Sequence, residues 1–417
     1  MNYDLAVIGG GAAGMMAAGR AGEKGAHVLL LEKNDRLGVK LVITGKGRCN
    51  VTKAEFDVRK FVGQLGQNGK FLFSALHKFS PQDTMDFFES RGVCLKIERG
   101  QRVFPVSGKA KDILEVLLKY LKINSVDVLA KAEVKDLIIK NGKIEKIILC
   151  DGKEFIAKNY AICTGGKSYS DTGSTGVAFQ WLTRVGHAIV APSPALVPVI
   201  VREKWIKELE GVSLKNVNIK VFQNGKKQCE RFGEAIFTNN GMSGPIVLDL
   251  SKKIGELLKS NEVELGIDFK PALNFENLDK RVQKDFSELK NKIFKNSLGM
   301  LLPKKLIFIF VRLSGIDETK KINNVTKDER KRLVHLLKDF RLKVKSLDGF
   351  NKAIITSGGV VLNEIDPKTM RSKIIPNLYF AGEIIDLDGP TGGFNLQIAW
   401  STGFAVGDNF QTGCILY

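Results

Sequence analysis

The chain contains no run of about eighteen uncharged apolar residues, the length a membrane-crossing helix requires. Its longest apolar candidate, residues 306–311, is cut off by Arg312. No membrane span is expected. The first residues lead straight into a strand pattern, without the basic, apolar and cleavage segments of a secretory leader, so the expected location is cytoplasmic. Six cysteines, Cys49, Cys94, Cys150, Cys163, Cys229 and Cys414, show no CxxC and no metal-ligand spacing. They read as reduced thiols. Four scattered histidines give a metal centre or a Ser-His-Asp triad little material, so no metal is expected. Three tryptophans, Trp181, Trp205 and Trp400, lack cage spacing and read as core or interface. No repeat of about 20–50 residues is present.

Acidic residues are also in deficit, 45 against 64 basic ones, for a formal charge of +19. Lys and Arg outnumber Asp and Glu by 29 to 19 over residues 1–190 and by 18 to 8 over residues 281–350. The counts are nearly level over 191–280, at 13 to 12, and reverse over 351–417, at 4 to 6. Such a localised excess suits an anionic partner such as nucleic acid. The bland alternative is a lysine-rich solvated surface.

What is present begins at the start of the chain. The apolar segment Tyr3-Asp4-Leu5-Ala6-Val7-Ile8 runs into Gly9-Gly10-Gly11-Ala12-Ala13-Gly14, and a second strand pattern ends at Glu32. A GxGxxG alone is weak evidence. In the order strand, turn, helix, strand, acid, it predicts a dinucleotide site. Gly9 allows the turn, Gly11 the approach of a pyrophosphate, and Gly14 close helix packing, with the amides of Ala12 and Ala13 facing the anion. Glu32 stands where a carboxylate accepts ribose hydroxyls.

The following loop, residues 38–50, is rich in glycine and lysine. A helix is expected over 81–91, presenting Met85, Phe87 and Phe88. Alternation over 126–162 around Asn141-Gly142 and Asp151-Gly152 predicts an antiparallel meander. Pro192, Pro194 and Pro198 punctuate a crossing into β-rich sequence over 199–269, with a turn at Asn224-Gly225. Helical spacing follows at Leu278, Val282, Phe286 and Leu289, Pro303 suits a helix start, and Thr326-x-x-Glu329 is a capping box before a helix over 330–340. Three domains are expected: 1–192 with 352–417 binding the dinucleotide, 193–272 with 341–351 rich in strands, and a basic helical subdomain over 273–340.

Near the C-terminus a strand pattern, residues 377–380, ends in Ala381-Gly382-Glu383, and a helix follows Gly392-Gly393-Phe394-Asn395-Leu396. A nicotinamide dehydrogenase has no need of this second glycine-rich turn. FAD does, because its ribityl chain and ring lie far from the adenosine. Glu383 is placed to bind ribityl hydroxyls. The helix amides suit negative charge on a reduced flavin. No second GxGxxG follows a strand, so a dedicated NAD(P)H domain is not expected, and NAD(P)H would visit the flavin transiently.

With these residues the chain resembles the BaiN-like FAD-dependent oxidoreductases, some described as aminoacetone oxidase-like. The blocks that carry the likeness are 9–14, Gly45-Lys46-Gly47-Arg48-Cys49-Asn50, Arg102-Val103-Phe104-Pro105, 164–169, 237–245, Thr356-Ser357-Gly358-Gly359-Val360, and 381–397. Lys46 replaces the usual Gly, and Asn239 the usual His. The resemblance implies an α/β fold: a glutathione-reductase-type Rossmann FAD-binding domain with an inserted β-barrel-like domain that carries a helical subdomain. It also implies two activities, reduction of a ring double bond in bile-acid intermediates, and reduction of a uridine in 23S ribosomal RNA to dihydrouridine.

The charge favours the RNA, which would be the partner. The expected reaction places hydride on uracil C6 and a proton on C5. Cys49 is the candidate acid, since a thiol is protonated at neutral pH; its alternative role is packing beside the cofactor. Arg48 supports flavin or substrate anions, Asn50 contacts the ring, and Val134 offers its backbone to adenine. Thr164, Gly165 and Gly166 lie against the cofactor, and Lys33 and Lys40 complete the expected set. Rival readings are a small-molecule flavin reductase or oxidase, and an RNA-binding redox sensor that does not turn over. Oligomeric state is not legible.

Overall fold

Strands that are apolar at nearly every position belong in a sheet covered on both faces. The computed structural model, which describes residues 3–410, builds such a sheet from five parallel strands in the order Leu378–Phe380, Ala157–Ile162, Tyr3–Ile8, Val28–Leu31 and Asp127–Leu129. Every residue of Val28–Leu31 is buried. The expected α/β class holds. The helix Ala12–Glu23 covers the sheet with Met15 and Met16 fully buried. The closing helix Phe394–Asn409 lies against it backbone to backbone: a Cβ on Gly403 would stand 2.4 Å from the Ala13 carbonyl oxygen, and one on Gly407 2.5 Å from that of Ala17.

This sheet belongs to one of two units, Met1–Pro194 with Phe350–Tyr417, the other being Ala195–Gly349. Within the first unit the expected meander is shorter than its alternation suggested. Only Val134–Lys140, Lys143–Leu149 and Glu154–Phe155 form it, and the flanking strands Asp127–Leu129 and Ala157–Ile162 belong to the parallel sheet. Asn141 and Gly142 carry φ of 51° and 73°, the two positive angles of a type I′ hairpin. The helix Pro81–Glu89 is closed by a capping box from Ser80 and Asp83 and buries Phe87 and Phe88, while Met85 is half-buried.

The second unit is a closed antiparallel barrel: Val199–Val201, Gly241–Ser243, Lys226–Thr238, Ser213–Gln223, Val263–Asp268 and Phe340–Leu347, the last returning to the first. The β-rich reading of 199–269 missed two helical elements, the 3-10 helix Lys204–Leu209 and a longer α-helix. Pro245–Leu258 is a helix with Pro at its first position and Ile246, Val247, Leu250, Ile254 and Leu257 on its buried face. Helix Phe275–Glu288 buries Leu278, Val282 and Phe286, Pro303 precedes helix Lys304–Ser314, and Thr326 and Glu329 form the expected box for Lys327–Lys338. That last helix ends earlier than expected, because Phe340, Leu342 and Val344 alternate inward as a barrel strand. Helices and barrel share one core, in which Phe310 stacks on Phe340 at 5.3 Å and Phe269 meets both rings edge-on at 5.4 and 5.7 Å.

Candidate cofactor site

Parallel register decides where the loops meet. Ile8 pairs with both Leu31 and Ile162, and Ile162 with Phe380. The turns that follow these strands, at 9–14, 32–34, 163–166 and 381–383, therefore share one carboxyl edge of the sheet, the usual ligand crevice of an open α/β fold. Backbone bonds stitch the edge together: Gly9 donates to Leu31, Cys163 to Ile8 and Ala381 to Ile162, at 2.8, 2.8 and 3.2 Å.

Three glycines of the first turn have distinct surroundings. Gly9 has φ of 106°, and a Cβ there would lie 2.5 Å from the Cys163 carbonyl oxygen. One on Gly14 would lie 1.9 Å from the Gly9 oxygen. Neither position admits a side chain. At Gly11 a Cβ would meet nothing within 4 Å, so the space before the helix is open. The helix Ala12–Glu23 has no side-chain cap at Gly11, and Phe394–Asn409 has none at Gly393. Both N-termini keep their first amides for an anion.

Glu32, 8% exposed, accepts from the amides of Gly10 and Asn34, both at 2.8 Å. A carboxylate has about four lone-pair directions, so roughly two remain, the number a vicinal diol uses. Glu383 is more committed. Its Oε1 accepts from the Ser168 hydroxyl at 2.6 Å and the Thr356 amide at 2.8 Å, and its Oε2 from Lys40 Nζ at 2.7 Å. Lys40 also donates to Ser168 Oγ at 2.7 Å, while Thr356 Oγ1 accepts from the amides of Lys167 and Ser168. Gly166 permits this packing, since a Cβ there would sit 2.4 Å from Thr356 Oγ1. Ser168 and Thr356 escaped sequence reasoning as site residues, although both fall inside the motif blocks, because their link to Glu383 spans 215 and 27 residues.

Within the expected loop 38–50 the chain forms the helix Val39–Gly47, broken at Thr44, Gly45 and Lys46, and the segment 45–50 is held in unusual backbone. Gly45, Lys46 and Gly47 take φ of 57°, 59° and 80° in succession, and Cys49 takes 57°. Lys46 thus occupies the left-handed region that the usual Gly enters freely. Arg48 forms a two-point contact with Glu98 at 2.7 and 3.3 Å and lies 3.8 Å from the centroid of the Phe104 ring. That hydrogen bond holds the Glu98 carboxyl below its ordinary range. Cys49 is fully buried, and burial pushes its thiol up to about 12. The Asn50 side-chain oxygen and the Thr164 hydroxyl are buried without a protein partner. Orphaned polar atoms of this kind call for a bound group.

The remaining expected contacts divide. Gly165, with φ of 72°, Gly382, with φ of 77°, and Gly392, with φ of 114°, all occupy turns that favour glycine. Gly382 abuts Ala13, which joins the C-terminal turn to the first helix. Lys33 reaches Thr175 Oγ1, at 3.5 Å, and Val134 opens its strand opposite Leu149. Asn395 turns its amide onto Gly389, accepting from its N–H at 2.9 Å and donating to its carbonyl at 2.8 Å. Phe394 is core, 4.8 Å from the Phe61 ring, and Leu396 is half-buried. Asn239 lies exposed in a turn of the second unit. Cys414 lies outside the described residues.

The HI0933-like protein Rossmann domain family matches residues 3–409, and the chain belongs to it. Relatives include the 3-dehydro-bile acid delta(4,6)-reductase of Clostridium scindens, 29% identical over 406 residues, 97% of this chain and 98% of that one. They also include the ribosomal RNA dihydrouridine synthases of Haemophilus influenzae, 29% identical over 405 residues (96% of each chain), and of Escherichia coli, 28% over 408 residues (97% and 96%). Among solved structures, an open flavocytochrome c3 fumarate reductase aligns with TM-score 0.54 at 16% identity, covering 98% of this chain and 78% of that one. The 3-ketosteroid-delta4-(5alpha)-dehydrogenase of Rhodococcus jostii aligns with TM-score 0.53 at 14% identity, covering 98% and 97%. These two share its fold. The chain is an FAD-dependent oxidoreductase. Among the described residues no helix is long and apolar enough to cross a membrane.

Proposed function

We propose that this flavoprotein reduces a uridine of ribosomal RNA to dihydrouridine. The observation that carries the reading is the charge of the inserted segment 281–350, with 18 basic residues against 8 acidic ones. Phosphate neutralisation by Lys and Arg gives affinity for RNA, whereas a steroid substrate gains little from it. Both kinds of relative are consistent with one chemistry, reduction of a carbon–carbon double bond conjugated to a carbonyl. In uracil the C5=C6 bond is conjugated to the C4 carbonyl; hydride adds at C6, a proton adds at C5, and the substrate gains two electrons. Bound FAD, once reduced, supplies the hydride.

The residues present fit that cofactor. Gly9 and Gly14 fix the turn, the open space at Gly11 takes the pyrophosphate, and the two lone-pair directions left on Glu32 take the ribose. Glu383, oriented by Lys40, Ser168 and Thr356, keeps about one acceptor direction for a ribityl hydroxyl. The buried Asn50 and Thr164 oxygens gain partners when the cofactor binds. The amides at the start of Phe394–Asn409 stabilise negative charge beside them. Cys49 we assign to packing, because its side chain is fully buried and presents no surface to a substrate. Arg48, engaged by Glu98 and Phe104, stiffens the loop.

The bile-acid reductase relative supports a second reading, a small-molecule enone reductase. Anaerobic mixing of reduced holoenzyme with ribosomal RNA or with a conjugated steroid ketone separates the two. The proposal expects RNA to reoxidise the flavin, at a rate that falls with salt. Reoxidation by the steroid alone selects the second reading, and RNA binding without reoxidation selects a redox sensor.

A further inference from the structure

On the second unit, the helix Lys304–Ser314 buries Leu306, Ile309, Phe310 and Val311 and turns another face outward. On that face Phe308 is 58% exposed, with Lys304 one turn before it and Arg312 one turn after. The Arg312 guanidinium lies 5.6 Å from the Phe308 ring centroid and 5.8 Å from that of the half-buried Trp205. Phe308 borders a hollow of about 520 Å³ that continues over Arg312 and Ile316 to Asp317 and Glu318. Arg312 also approaches Glu208 at 3.8 Å, Glu318 pairs with Lys295 at 3.5 Å, and Asp317 accepts from Thr319. An exposed ring flanked by cations, with carboxylate acceptors across a shallow hollow, matches the three parts of an unpaired nucleotide. The ring takes the face of a base, the cations take the phosphate, and the carboxylates take a base N–H such as that at uracil N3. A duplex hides its base faces and cannot use the ring.

We infer that Phe308, Arg312 and Trp205 form a stacking platform for an unpaired nucleotide of the RNA substrate. The inference rests on the proposed function, and charge complementarity favours RNA over a protein partner, since the surrounding segment carries the 18 to 8 basic excess. The test measures binding of the full FAD-loaded chain to a fluorescently labelled oligouridine and to an RNA duplex of equal length. Phe308→Ala is expected to weaken oligouridine binding about tenfold while leaving duplex binding unchanged, and Phe308→Trp to restore it. Arg312→Ala is expected to lower the salt slope for the single strand by about 0.7. An unchanged circular dichroism spectrum and urea midpoint in each variant show that the fold is intact. Equal oligouridine binding by wild type and Phe308→Ala overturns the platform while leaving the RNA reading in place. A wild type that binds neither RNA overturns both. A Phe308→Ala variant that changes only sedimentation assigns this face to self-association and overturns the platform.

Discussion

The two units carry their information in different materials. In the first, position after position is set by glycine and by backbone: Gly9, Gly14, Gly166, Gly403 and Gly407 each lie where a Cβ would come within 2.5 Å or less of a neighbouring atom. The second has one such turn, where a Cβ on Gly241 would lie 1.9 Å from the Val199 carbonyl oxygen; elsewhere its informative residues are surface cations and an exposed ring on a barrel and helices whose core is ordinary aliphatic and aromatic packing. Close approach of backbone leaves few sequence solutions, so a cofactor-holding edge is spelled as motif. A surface that meets a polyanion has many solutions, so it is spelled as composition.

The largest expected effects break the glycine side of this contrast. Gly14→Val drives a side chain into the Gly9 carbonyl, and a loss of about 4 kcal/mol or more of stability is expected, read by denaturant titration. Gly11→Val faces open space, and its φ of −82° suits any residue. Its stability is expected to match wild type while FAD affinity falls about a hundredfold, close to 3 kcal/mol, as measured by flavin retention on dilution. Equal retention by Gly11→Val and wild type removes the pyrophosphate from this turn.

Next in size is the Glu383 cluster. Glu383→Gln removes the charge facing Lys40, whose side chain is only 23% exposed, and is expected to weaken FAD binding by about 2 kcal/mol. Lys40→Met in the same background is expected to add less than it does alone, so a double-mutant cycle on FAD affinity reads the coupling.

A smaller effect concerns acid. His187 is 2% exposed, with Nδ1 2.9 Å from Glu364 and Nε2 2.9 Å from Ser372 Oγ. The Ser372 oxygen already accepts from the amides of Ile374 and Ile375, so its hydroxyl donates to Nε2 and the ring proton faces Glu364. Burial lowers the pKa of His187, outweighing the opposite pull of Glu364. The unfolded chain then binds the extra proton more readily. This contribution is full above the ordinary histidine value near 6.5 and is lost as pH falls below it, with a slope of up to about 1.4 kcal/mol per pH unit. His187→Gln is expected to flatten urea midpoints between pH 7.5 and pH 5. A slope equal to wild type assigns the acid sensitivity elsewhere.

Least is expected of Cys49. Cys49→Ala is predicted to cost about 1 kcal/mol of stability and to leave turnover near wild type, as the packing role proposed for this buried thiol requires. A hundredfold loss of turnover with FAD still bound restores the acid role.

Much of this was legible in the sequence. The first βαβ order, the I′ turn at Asn141-Gly142, the Thr326 capping box and the strand before Glu383 all follow local rules of spacing and turn chemistry. The helix Pro245–Leu258 was not read, although Pro245 marks its start, because it lies between strands of one barrel and its neighbours set the expectation. The helix expected over 330–340 takes in Phe340, the first residue of the strand, because no turn residue marks the switch from helical to period-2 spacing there, whereas 341–351 reads as strand-rich. At the site, Gly9, Gly14 and Glu32 announced themselves through spacing. The Glu383 cluster did not: its partners Lys40, Ser168 and Thr356 come from three separate segments, and only strand register brings them together. The burial of Cys49 was equally hidden, since a motif cysteine in the core and one facing a substrate have the same letters around them.

The central claim is the substrate. Dihydrouridine mapped at nucleotide resolution in ribosomal RNA, from cells with and without this gene, tests it most directly. The account predicts that one position loses dihydrouridine and regains it when the wild-type gene, but not the Gly11→Val gene, is returned. Dihydrouridine unchanged at every ribosomal RNA position in the deleted strain contradicts it.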